Sequence, residues 1–149
     1  MQMPDVNVLV YAHRSDEAVH DFYREWLEDA LRSATPFGLS VLVAGAFLRI
    51  VTNSKLYATP TPIETALAAI DAIASHPNCV RVGTEPDHIS RLTMLCRAAS
   101  ASGRHVADAQ HAAIAIGAAA CWVTRDGDFR RFEPHGLRWQ HLVPPGAAR

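Results

Sequence analysis

Apolar residues recur along this chain in two rhythms, short solid runs and longer stretches spaced by three and four. Short runs bounded by turn residues read as buried strands, and the longer spacing as amphipathic helix. The chain opens on a strand that ends near Asp5. Asn7 is then placed to cap a helix, and Val8–Ala12 forms a small apolar turn. His13–Glu17 is polar. From His20 to Arg32, Phe22, Trp26, Leu27, Ala30 and Leu31 fall at helical spacing. Thr35–Pro36 opens a second strand, Pro36–Leu39. Ser40 then begins a strongly apolar helix, Val41–Thr52, stopped by Asn53–Ser54. Thr61–Pro62–Ile63–Glu64 predicts a helix start with a capping Thr and Pro in the first position. That helix runs to Ser75 and presents Ile63, Leu67, Ile70 and Ile73 on one side. His76–Pro77–Asn78 stops it.

Cys79–Val82 reads as a third strand, and Thr84–Asp87 opens a helix from His88 to Ser102 with Gly103 as its stop. The next stretch, Ala107 to Phe129, organises the rest. Asp108 is placed to cap a small apolar helix, Ala109–Ala118. Cys121–Trp122–Val123 is a buried strand that ends at Thr124, and Asp126 and Asp128 follow at once. Leu137–Leu142 carries polar residues at alternate positions and predicts a strand at a sheet edge. A tail begins near Pro144. Short strands alternating with helices predict an α/β/α domain with a mostly parallel sheet, spanning residues 1–149 as one unit.

Composition narrows the picture. At 149 residues and 49% hydrophobic content the chain can bury a core of its own. The net charge of −1 excludes a general polycation, so a nucleic-acid partner has to meet a local basic face. Lys55 is the only lysine. The three cysteines are scattered, which fits reduced thiols in a cytoplasmic protein rather than a disulfide frame or a zinc site. No signal peptide or membrane span is expected.

The chemistry lies in the acids. A parallel sheet brings the carboxyl ends of its strands to one edge, where Asp5, Asp108, Asp126 and Asp128 converge. Two unit charges ~4 Å apart at an effective dielectric of about 20 repel by about 4 kcal/mol. A fold that gathers carboxylates must protonate some or bind a divalent cation, and all-oxygen donors select Mg²⁺ or Mn²⁺. Such a site suits phosphodiester hydrolysis. The plainer reading makes the same acids helix caps and turn formers, Asp5 and the Asp126–Gly127 pair included. A strand-end Asp also opens haloacid-dehalogenase-type phosphatases, but here Asn7 stands where those need a second acid.

Asp5–Val6–Asn7–Val8–Leu9, Phe47–Leu48–Arg49 with Thr52–Asn53, Ala107–Asp108–Ala109 with Ala112–Ala115, and Thr124–Phe129 together resemble the PIN-domain ribonucleases, specifically the VapC toxins. The resemblance implies a 5′-nuclease-like three-layer fold and Mg²⁺- or Mn²⁺-dependent cleavage of structured RNA, tRNA or ribosomal RNA. It also implies a homodimer in the cytoplasm, held inactive by a VapB antitoxin. It makes Asp5, Asp108 and Asp126 metal ligands, with Asp128 beside them as a fourth catalytic acid. Asn7 or Thr124 would bond the ligating carboxylates, and Arg49, Arg125, Arg130 and Arg131 would reach phosphates. The chain departs from the pattern at Ala46, six positions after Ser40, where the family usually carries glutamate. Asp16 or Glu17 would replace it only if the first loop folds back. That gap sustains an alternative, a nuclease-inactive module that binds RNA or antitoxin.

Overall fold

The computed structural model describes residues 1–146. Its elements, in order, are β1 (Gln2–Pro4), α1 (Val6–His13), α2 (His20–Arg32), β2 (Phe37–Ser40), α3 (Val41–Val51), α4 (Ile63–Ala74) and β3 (Cys79–Val82). Then come α5 (His88–Ala98), α6 (His105–Gly117), β4 (Cys121–Thr124), a 3-10 helix (Gly127–His135) and β5 (Arg138–His141). The five strands form one sheet in the order β3-β2-β1-β4-β5, and every neighbouring pair is parallel. The expected three-layer α/β/α architecture is therefore present, with all strand carboxyl ends on one edge. β1 has three residues yet lies at the centre, with Gln2, Met3 and Pro4 paired to Cys121, Trp122 and Val123. β5 forms an edge, as its polar alternation predicts.

The core follows from the apolar runs. Met3, Phe37, Phe47, Trp122 and Phe129 are fully buried around the sheet, each aromatic contributing about 1.5–3 kcal/mol by leaving water. Ser40 caps α3, accepting from Leu42 N–H at 3.3 Å. None of the helices among the described residues is long and apolar enough to cross a membrane. The three cysteines are free. The tail from Pro144 continues into residues 147–149, outside the described residues.

Several local expectations give way. Val8–Ala12 is helix, and Asp5 rather than Asn7 caps it. Thr61 caps nothing; α4 starts from Pro62, and Thr61 Oγ1 meets His13 Nε2 at 3.4 Å. The inward stripe of α4 is Ala66–Ala69–Ile70–Ile73, an i, i+3, i+4, i+7 face. It leaves Leu67 round the side and Ile63 in the first turn, both exposed. α5 stops at Ala98, five residues before Gly103. The turn that ends it sets Ser100 at φ 49, with Ser100 N–H on Arg97 C=O and Ala101 N–H on Cys96 C=O. α6 ends the same way, with Ala119 at φ 50, its N–H on Ile116 C=O and Ala120 N–H on Ala115 C=O. Both are Schellman turns that carry a side chain at the position glycine usually fills.

Candidate active site

Asp5 sits where β1 passes into α1. Its backbone N–H completes the ladder to Val123 C=O at 2.8 Å. Its carboxylate then turns onto the helix N-terminus, where orphan N–H groups favour an anion. Oδ1 accepts from Val6 N–H at 2.6 Å, and Oδ2 accepts from Asn7 Nδ2 at 2.9 Å and from Thr124 Oγ1 at 2.6 Å. Thr124, the last residue of the neighbouring strand β4, is buried; its hydroxyl also accepts from Asn7 Nδ2 at 3.2 Å and Asp126 N–H at 3.0 Å. Asn7 Oδ1 accepts from Arg125 N–H at 3.2 Å. Asn7 and Thr124 thus clasp the two central strand ends together, the supporting role expected of them.

Asp5 is only 5% exposed and pairs with no cation among the described residues. Burial pushes its carboxyl up from 3.8 to about 6; the bonds from Thr124 and Val6 oppose the rise, and the charges of Asp126 and Asp108 add to it. All three expected ligands therefore lie within electrostatic reach at the sheet's carboxyl edge.

The other acids are partly occupied. Asp108 lies in the first turn of α6 rather than at its cap, because the helix starts at His105, earlier than expected; Asp108 Oδ2 meets His105 Nδ1 at 3.1 Å. Asp126 is exposed and caps the 3-10 helix, accepting from Asp128 N–H at 2.8 Å. Asp128 turns to Arg104, 3.4 Å away, and its backbone C=O accepts from Arg131 Nε at 3.2 Å. Asp128 is thus engaged by a cation of its own fold. Asp16 does not fold back to replace the missing glutamate: Arg14 holds both its oxygens, at 2.9 and 2.5 Å. Ala46 brings no carboxylate.

Arg49 and Arg130 are exposed, and Arg125 is half-buried with its guanidinium 5.0 Å over the Tyr11 ring. Tyr11 stacks on Tyr23 at 5.3 Å. The sequence reading missed this Tyr11 platform, together with His105 and Arg104. His105 stands three residues before Asp108, the spacing of helical neighbours, and becomes legible once α6 is started early enough.

As the side chains stand, no three acids, histidines or cysteines are drawn close enough to hold an ion among the described residues. The donors nevertheless fit a divalent cation in kind. They are oxygens only, and the buried Asp5 charge lacks a partner of its own while two further carboxylates act on it.

Comparison with known proteins bears on family and fold. A family model described as PIN domain matches residues 3–133. Ribonuclease VapC31 of Mycobacterium tuberculosis is 37% identical over 145 residues, covering 97% of this chain and 99% of that protein. Ribonuclease VapC43 of the same organism is 39% identical over 137 residues, 92% of each. Among solved structures, VapBC2 from Rickettsia felis, bound to a DNA fragment from its promoter, aligns with a TM-score of 0.69 at 20% identity, covering 93% of this chain and 96% of that one. The M. tuberculosis VapC20 structure, described as a Sarcin-Ricin loop cleaving toxin, aligns with a TM-score of 0.66 at 16% identity, over 97% and 100%. At these identities the two structures speak for the fold.

Proposed function

The chain belongs to the PIN-domain family, beside the VapC ribonucleases, and from that premise we propose that it is the toxin of a type II toxin–antitoxin pair. Its activity is endonucleolytic hydrolysis of phosphodiester bonds in structured RNA, tRNA or ribosomal RNA, with Mg²⁺ or Mn²⁺. It acts in the cytoplasm as a homodimer, and a VapB-type antitoxin silences it. Ribonuclease relatives at 37–39% identity and VapBC complexes with the same fold support this reading. One observation carries it: a buried carboxylate without a counter-charge, Asp5, at the sheet edge where two more carboxylates act on it.

Asp5, Asp108 and Asp126 are the residues to hold the cation, which when bound supplies positive charge for the phosphate and the departing oxygen. The chain's own groups do the rest. Val6 N–H and the Thr124 hydroxyl fix both Asp5 oxygens, so the carboxylate is set before substrate arrives. Asn7 ties the Asp126 loop to the same point through Arg125 N–H. Asp126 spends one oxygen on its cap and keeps the other for the cation or to orient the attacking water. Arg125, braced on Tyr11, reaches toward a phosphate from the rim.

A second reading, a PIN fold that binds RNA or antitoxin without cutting, draws on Ala46 and on the pairing of Asp108 with His105 and Asp128 with Arg104. Cleavage assays separate the two. With Mg²⁺ or Mn²⁺ the wild-type chain is expected to cut RNA, and Asp5→Ala and Asp108→Ala to lose roughly a hundredfold or more. Equal rates in all three defeat the nuclease reading.

A further inference from the structure

Beside the carboxylates, on the outer edge of the sheet, lies a cleft of about 650 Å³ lined by Gly127, Arg130, Glu133, Trp139, His141 and Val143. We propose that this cleft is a nucleoside subsite, in which Trp139 stacks a base and Arg130 pairs the adjoining phosphate of a single RNA strand leaving the catalytic edge. The inference rests on the ribonuclease reading for its substrate class, and on separate residues for its site.

Four observations carry it. First, the volume falls within the range of small-molecule pockets, roughly 300–1,000 Å³. Second, Trp139 and His141 alternate along β5 and so share one face of an edge strand, with ring centroids 5.7 Å apart and planes at 37°. An aromatic surface at a groove is what splayed bases stack on, whatever their identity. Third, the polar groups suit a nucleotide. Arg130 is exposed and enters no ion pair among the described residues. Glu133 Oε2 accepts from Trp139 Nε1 at 3.4 Å, which leaves the other carboxylate oxygen for an amino group of a base. Fourth, the cleft is continuous with the site. Gly127 lies between Asp126 and Asp128, and His141 Nε2 contacts Arg125 C=O at 2.9 Å, so the β5 wall is pinned to the loop that carries the acids.

Tryptophan fluorescence tests this in the full chain. A short mixed-sequence oligoribonucleotide, added in EDTA, is expected to quench emission in the wild type and not in Trp139→Phe, since Trp122 is buried and Trp26 lies on α2. By anisotropy with the labelled oligonucleotide, Trp139→Ala is expected to bind about tenfold more weakly and Trp139→Phe within about twofold of wild type. Arg130→Gln should lower the salt slope by about one. Unchanged affinity in Trp139→Ala, or quenching that persists in Trp139→Phe, overturns the subsite. So does quenching by a VapB-type peptide with none by RNA, which marks a protein-docking face instead. If the wild type never cuts RNA yet the oligonucleotide quenches Trp139, the nuclease reading fails and the subsite stands.

Discussion

At the scale of single residues, Asp5 works against the stability of the chain it serves. Its folded value of about 6 lies above the 3.8 of the unfolded chain. Between those values the folded form keeps a proton that the unfolded form has lost. The contribution to stability is therefore full below pH 3.8 and fades as pH rises through about 6. At ~1.4 kcal/mol per pH unit the loss amounts to ~3 kcal/mol. Asp5→Asn removes that slope. In chelator near neutral pH it should resist urea better than its parent by ~1 kcal/mol, the relief of desolvation being partly offset because an amide NH2 cannot accept from Asn7 Nδ2 and Thr124 Oγ1 as Asp5 Oδ2 does, while RNA cleavage disappears. Urea curves between about pH 4 and about pH 8 check the sign. A variant less stable than wild type throughout would show that the hydrogen bonds to the carboxylate outweigh its desolvation. Part of this network was open to sequence reading, which set Asn7 or Thr124 on the ligating carboxylates, but a strand-end Asp reads equally as a helix cap, and Asp5 is that as well. The pairing of Asp128 with Arg104 was not open to it, because the two are 24 residues apart and meet only in three dimensions.

At the scale of elements, most helices and strands were legible because their apolar spacing is strong, and Ser40 marked the start of α3 correctly. The end of α5 and the start of α6 misled. Glycine is the usual sign of a left-handed stop, yet Ser100 and Ala119 occupy those positions at φ 49 and 50. Gly103, also left-handed at φ 56, belongs to the turn before α6. The late stop assigned to α5 then pushed the start of α6 forward and made Asp108 look like a cap. The backbone strain of a side chain in this region is roughly 1–2 kcal/mol. Ser100→Gly and Ala119→Gly should each stabilise the fold by about 1 kcal/mol, read as a rise in Tm of ~2–6 °C. No rise in either would mean that the Schellman bonds already absorb the strain.

For the molecule as a whole, cation binding by the acids at the carboxyl edge is expected to make stability depend on ions. A cation bound to the folded form alone adds RT ln(1 + [M]/Kd), or ~2.7 kcal/mol at a hundred times Kd. It should also flatten the acid-limb slope ascribed to Asp5. With Ala46 in place of a glutamate, the three aspartates should bind Mg²⁺ or Mn²⁺ weakly alone and more tightly with an RNA fragment whose phosphate completes the set. Isothermal titration of metal with and without RNA decides this; tight binding to the bare protein counts against it. The central place of β1 has a further result for synthesis. During synthesis β1 stays unpartnered on the β4 side until residues 121–123 arrive, and Thr124 and Asp126 come later still. A nascent chain stalled short of them holds Asp5 without the hydroxyl and the loop that fix its carboxylate.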